Sequence, residues 1–146
     1  MMDLSSARSL SAVNHVEEAM TVPKISRDSA ELEDVGVLCD QFGELDDYSV
    51  DFLTFREDLD ATPLLKGLPD DQCQCPHWGY VLSGRLSYRV GDHDEVFETG
   101  DAFFLPPGHI PVQNEPGSEF VQFSPTKELR ETQAVMRANM EALRVG

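Results

Sequence analysis

Basic residues are scarce in this chain. Its 146 residues include 11 Lys and Arg against 27 Asp and Glu, which gives a formal net charge of −16. Such a charge disfavours binding to nucleic acid and to anionic membrane surfaces, because both are negatively charged. An acidic surface favours solubility and is usually no more than a solvated face, although it also favours cationic ligands and basic partners. We therefore expect neither a nucleic-acid nor a membrane partner.

Long apolar runs and disulfide frameworks are also lacking. No stretch approaches the roughly 20 apolar residues that span a bilayer, and the first 20 residues lack the basic start and apolar segment of a secretory signal. We expect a cytoplasmic protein. The three cysteines, Cys39, Cys73 and Cys75, are an odd number, which argues against the paired cysteines of a secreted domain. The Cys-x-Cys pair is then available to a metal or to redox chemistry.

The patterning divides the chain into three parts. Residues 1–30 carry no sustained period and predict a loose N-terminal arm, with a short helix around residues 12–20. Residues 31–123 contain short apolar segments separated by turn residues every 8–12 positions, which predicts an all-β antiparallel sandwich or barrel. Residues 124–146 predict a helix, capped by Ser124, that packs on the barrel or forms a dimer contact. Its apolar residues recur at helical spacing: Leu129, Met136, Met140 and Leu143.

Strands are predicted where apolar residues alternate between turns. One covers Tyr48–Phe55, in which Tyr48, Val50 and Phe52 alternate with polar residues. The segment HWGYVLSGRLSYRV predicts two strands around a Ser83-Gly84 turn. The remaining predicted strands are short and are bounded by turns: Glu95–Glu98, Ala102–Leu105 and Glu119–Phe123.

Two linked motifs identify a family. The run Tyr80-Val81-Leu82-Ser83-Gly84 is followed by Gly100-Asp-Ala-Phe-Phe-Leu-Pro106-Pro107-Gly108. The chain therefore resembles the cupin superfamily, whose first motif ends in aromatic-Val-Leu-x-Gly and whose second reads Gly-x5-Pro-x-Gly. The resemblance covers about residues 45–123 and implies a small jelly-roll β-barrel. It also implies a homodimer, since cupins often pair edge to edge and so cover exposed strands.

The ligand positions implied by the resemblance depart from the family pattern. Cupin metal sites usually take His-x-His-x3-Glu from the first motif and one His from the second. Aligned on Tyr80-Val81-Leu82, these positions fall on Asp71, Cys73 and His77, and the second-motif position falls on Pro111. The usual site of three His and one Glu is therefore absent.

The same region nevertheless predicts a different metal site. Cys73, Cys75 and His77 have the same parity, so an extended strand places them on one face. His109 has the parity of Pro111 and lies near the same end of the barrel. Two thiolates and two imidazoles suit Zn²⁺ in tetrahedral geometry, with iron or nickel left open. The competing interpretation is that the cysteines are core residues and that Pro76 bends the strand.

These residues support two hypotheses about function. The first is a small cupin that binds a metal, a small ligand or both in its barrel, as a metal-dependent enzyme whose reaction the sequence does not specify. The second is a non-catalytic ligand-binding or redox-sensing module that kept the fold and lost the usual ligands. Trp78 and Tyr80 are predicted to line the pocket. No catalytic residue is assigned from the sequence.

Overall fold

The computed structural model describes residues 22–145. The predicted helix at residues 12–20 and most of the predicted arm lie outside this range. Residues 22–30 include a 3₁₀ turn at Arg27–Ser29. Arg27 forms an ion pair with Glu119 at 3.2 Å, and Ile25 packs over Gly43. The end of the predicted arm therefore contacts the β-sheet.

Nine antiparallel strands and a C-terminal helix form the rest of the structure. One sheet has the order β1-β2-β3-β9-β4-β7, and the other has the order β6-β5-β8. The predicted fold class is confirmed: an antiparallel β fold that ends in a helix. The bounds are β1 Glu31–Asp34, β2 Leu38–Leu45, β3 Tyr48–Phe55, β4 His77–Ser83, β5 Arg85–Val90, β6 His93–Glu98, β7 Ala102–Leu105, β8 His109–Asn114, β9 Glu119–Pro125 and α1 Thr126–Val145.

The larger of two apolar clusters lies between the two sheets. Both sheets contribute alternate residues to this core, because successive side chains of a strand point to opposite faces. Burying each large side chain contributes about 1.5–3 kcal/mol. The core residues are Leu53, Phe55, Val81, Leu86, Tyr88, Phe103, Leu105 and Phe120.

The second motif adopts the turns that its glycines allow. Gly100 precedes β7 with φ of +93°, and Gly108 follows that strand with φ of +95°. Both values are in the left-handed region, which glycine adopts at little cost. The turn also fixes the segment before β4, because the Gly108 N–H donates to the carbonyl of Cys73 at 2.7 Å. The motif thus brings Cys73 next to the start of β8.

Helix α1 closes one side of the sheets. It begins at Thr126, whose N–H donates to the carbonyl of Asp47 at 2.9 Å. Ser124 and Pro125 therefore belong to β9, and the predicted cap at Ser124 is wrong. The helix packs against the turn Thr62–Leu65 and against β9 and β3. Within residues 22–145, no helix has the length and apolar character needed to cross a membrane.

Candidate metal centre

Three of the predicted ligands converge at one buried point. The donor atoms of Cys73, His77 and His109 all lie within 4.8 Å of one another. His77 begins β4 and His109 begins β8. Cys73 is placed beside them by an isolated antiparallel bridge to His109, in which the Cys73 N–H donates to the His109 carbonyl at 2.9 Å. Residues that are 36 positions apart in sequence are thereby held together by backbone hydrogen bonds.

Both imidazoles are oriented by hydrogen bonds at the same ring nitrogen. Nδ1 of His109 lies 2.8 Å from the carbonyl of Pro106, which can only accept, so this nitrogen carries the proton. Nδ1 of His77 lies 2.7 Å from the hydroxyl of Ser124. The Nε2 atom of His77 lies 3.8 Å from the Cys73 thiol. The Nε2 atom of His109 is then free to act as a ligand, and that of His77 is free when Nδ1 donates to the Ser124 hydroxyl, which is the usual outer arrangement around metal-bound histidines.

Burial shifts the pKa values of the two imidazoles and of the Cys73 thiol so that all three groups are neutral near pH 7. Burial and, to a smaller extent, the neighbouring His109 together lower the pKa of His77 to about 3. Burial also lowers the pKa of His109, so both imidazoles are neutral near pH 7. Burial raises the pKa of the Cys73 thiol. The two neutral imidazoles could bind a metal ion without losing a proton, whereas the Cys73 thiol would have to be deprotonated.

Cys75, the fourth predicted ligand, lies behind His77 and outside this group. It is fully buried and packs with Leu65 and Leu129. Its thiol is 4.0 Å from Nδ1 of His77, the nitrogen that contacts Ser124, and 3.4 Å from the Pro76 carbonyl. Its position matches that of a core residue that supports His77.

Trp78 and Tyr80 lie on the outer face of β4. They are 43% and 44% exposed, while His77 and Val81 on the same strand are buried. The Trp78 ring packs against Phe104, with ring centroids 5.1 Å apart. Neither residue lines the cavity described below. The homodimer that the family resemblance implies stays a prediction.

A cavity of about 190 Å³ adjoins the three donor atoms. It lies between the sheets and is closed on one side by α1. Its walls are mostly apolar, but they include polar side chains that the sequence analysis did not single out. These are Glu33, Asp40, Asp51, Tyr88, Gln122, Thr132, Gln133 and Arg137. Ser124, which orients His77, was expected to act as a helix cap.

Comparison with known proteins relates one segment of the chain to a family. The cupin-domain family model matches residues 73–111, a segment that begins at Cys73 and includes His77 and His109. This part of the chain is similar to a cupin domain. No curated protein matches the sequence.

Solved structures share the fold. An RmlC-like cupin from Shewanella frigidimarina is 20% identical, with a TM-score of 0.52 over 69% of this chain and 88% of its own. KdgF from Halomonas sp. is 22% identical, with a TM-score of 0.53 over 70% and 94%. A nucleoside dehydratase of Streptomyces is 14% identical, with a TM-score of 0.52 over 71% and 82%. At these identities the likeness concerns the fold and leaves the activity open.

Aligned on the cupin motifs, the candidate centre lies two residues earlier on β8 than the second-motif ligand position of the family. Pro111 holds the position where the family has its second-motif His, and it lines the cavity without offering a ligand. His109 lies on the same face of β8, one pleat earlier, and supplies an imidazole instead. His77 stands where the family has Glu. The candidate donors therefore differ from the ligand set that the family resemblance implies.

Proposed function

We propose that this cupin binds Zn²⁺ through the thiolate of Cys73 and the Nε2 atoms of His77 and His109. The proposal rests on the orientation of the two imidazoles. The Pro106 carbonyl contacts Nδ1 of His109 and the Ser124 hydroxyl contacts Nδ1 of His77, which leaves the Nε2 atoms for the metal. Thiolate and imidazole together suit a borderline-soft ion such as Zn²⁺. The two-His-one-carboxylate set of non-haem iron enzymes is not found among residues 22–145.

Three protein ligands leave one tetrahedral position for a small molecule. This is the pattern of catalytic zinc sites, whereas structural sites have four protein ligands. All three donor residues line the cavity, so a molecule held there would reach the ion. A zinc ion would supply Lewis-acid polarisation of an oxygen atom on such a ligand. We infer a metal-dependent function on a small molecule in the cavity.

The redox-sensing alternative is less well supported. Thiol–disulfide chemistry needs the thiolate. Burial raises the pKa of Cys73, and it raises the pKa of Cys75 to about 12. Both thiols are buried, so oxidants have little access to them. The geometry favours metal binding over redox sensing.

The pH dependence of zinc affinity tests the proposed ligand set. Between pH 6 and 7.5 we expect the logarithm of the association constant to rise with a slope of about one per pH unit, because only the Cys73 thiol must lose a proton. The measurement is competition against a chelator of known affinity. A slope near two would show that Cys75 also binds, and a slope near zero would contradict a thiolate ligand. The Cys75→Ala variant should keep the slope of one.

Ser124→Ala tests the outer hydrogen bond to His77. Loss of the hydroxyl removes the partner of Nδ1 and frees the ring to rotate, so zinc affinity should fall about 10- to 100-fold. The control is Ser118→Ala, a fully buried serine whose hydroxyl binds backbone carbonyls away from the centre. Unchanged affinity in Ser124→Ala would show that Ser124 does not orient the ligand.

A further inference from the structure

Two carboxyl groups in the cavity each have one oxygen atom without a partner. Asp40 and Asp51 are 8% and 2% exposed, yet Oδ1 of Asp40 and Oδ2 of Asp51 have no hydrogen-bond partner in the rest of residues 22–145. Both residues line the cavity. Buried polar atoms in native proteins are almost always satisfied, and an unpaired one calls for an explanation. A buried carboxylate without a cation is especially unfavourable.

The sheet register brings the two carboxyls together. Asp40 on β2 pairs with Leu53, and Phe42 pairs with Asp51 on β3, so the aspartates are diagonal neighbours on the inner face. Asp51 is in turn opposite Gln122 on β9, which also lines the cavity. Burial raises the pKa of both carboxyls, and the hydrogen bond between them raises the pKa of Asp40 while it lowers that of Asp51. The pair therefore tends to hold a proton when no cation is present.

Within residues 22–145, the arginine that lines the cavity is already paired with a carboxylate. Arg137 of α1 reaches the cavity, but its guanidinium binds Glu33 at 2.8 Å and is more than half exposed. Glu33 is the cross-strand partner of Asp40, so three carboxyls share one guanidinium. A metal ion fits less well than an organic cation. Within the described part of the chain, the group with metal-binding geometry is Cys73, His77 and His109.

We propose that Asp40 and Asp51 bind the cationic group of a small ligand, an ammonium in the simplest case, at the end of the cavity opposite the metal centre. The N–H groups of the cation would donate to the two unpartnered oxygens. Strands β3 and β4 lie on either side of β9, so the pair and His77 are separated by on the order of 10 Å across the sheet. A cavity of about 190 Å³ is smaller than a drug-sized pocket. A short amine is compatible with both this separation and this cavity volume.

This inference deepens the proposed function, since it assigns a ligand class to the same cavity. The probes are n-pentylamine and n-pentanol, which have similar size and differ in charge. Their binding to the full chain at pH 8 is measured by ligand-observed NMR titration, with and without zinc. We expect the amine to bind at least about tenfold more tightly than the alcohol. The Asp51→Asn and Asp40→Asn variants should remove that difference, and Asp92→Asn, whose carboxylate is fully exposed, should retain it.

The outcomes separate this inference from the zinc proposal. Asp-dependent binding of the amine to the zinc-free protein supports the cation site even if no zinc binds. Equal affinity for amine and alcohol overturns the cation site and leaves the zinc proposal intact. Tighter amine binding that survives in Asp51→Asn and Asp40→Asn, with thermal unfolding showing both variants folded, also overturns it. So does a second zinc ion that requires Asp40 and Asp51.

Discussion

Zinc should raise the melting temperature of this protein by about 5–10 °C when the free ion is present at roughly one hundred times its dissociation constant. An ion that binds only the folded state adds about 2.7 kcal/mol at that concentration. For a chain of this size, each kcal/mol shifts the melting temperature by roughly 2–4 °C. The increase should be lost in Cys73→Ala and in His109→Ala, because each removes a donor and leaves two. Differential scanning calorimetry with buffered zinc measures it.

Two variants serve as controls for this shift. Cys75→Ala changes a buried cysteine only two residues from Cys73, and it should be destabilised without zinc but keep the zinc-dependent increase. His93→Gln changes an exposed histidine that binds Glu95 at 2.7 Å, and it should behave as the parent chain. If Cys75→Ala also loses the zinc effect, the four-ligand set of the sequence analysis is correct. An increase that survives in Cys73→Ala would place the ion elsewhere.

The sequence predicted part of the candidate site where ligand-type residues also share one face of a strand. Cys73 and His77 were predicted to share a site, and the structure places their donor atoms together with that of His109. Parity alone could not separate Cys75 from the other two. Pro76 interrupts the strand before β4 begins at His77, so Cys75 turns into the cluster with Leu65 and Leu129. Rules of alternation hold only within a continuous strand.

The acidic pair was missed because the buried face of β3 was assigned from the apolar residues at its start. Tyr48, Val50 and Phe52 were expected to form the half-buried face. Within β3, Val50 is buried as expected and Tyr48 is 42% exposed, but Asp51 is also 2% exposed and has the parity of the core residues Leu53 and Phe55. A carboxylate at a core position contradicts the usual patterning, and such contradictions are common at functional sites. The parity of Leu53 and Phe55 was the available signal.

Asp40→Asn should stabilise the fold, and the gain should grow with pH. The native pKa of Asp40 is raised by burial and by Asp51 and Glu33, and Arg137 lowers it only in part. The native state therefore holds more protons than the unfolded chain between about pH 4 and the native pKa, so wild-type stability falls as pH rises through that range. Asparagine does not titrate, and its amide can donate to Asp51. We expect a gain on the order of 1–3 kcal/mol at pH 8, with a smaller gain at pH 5.

Urea denaturation at pH 5 and pH 8 measures this difference, with Asp92→Asn as the control for loss of an exposed carboxylate. A variant that is less stable than the parent at both pH values would show that the pair stabilises the fold as it stands. The same substitution is expected to abolish preferential binding of n-pentylamine. A more stable protein that binds the cation less well is a combination that a purely structural role for Asp40 does not produce. Natural proteins accept such a loss of stability chiefly at sites where a buried charge meets a ligand.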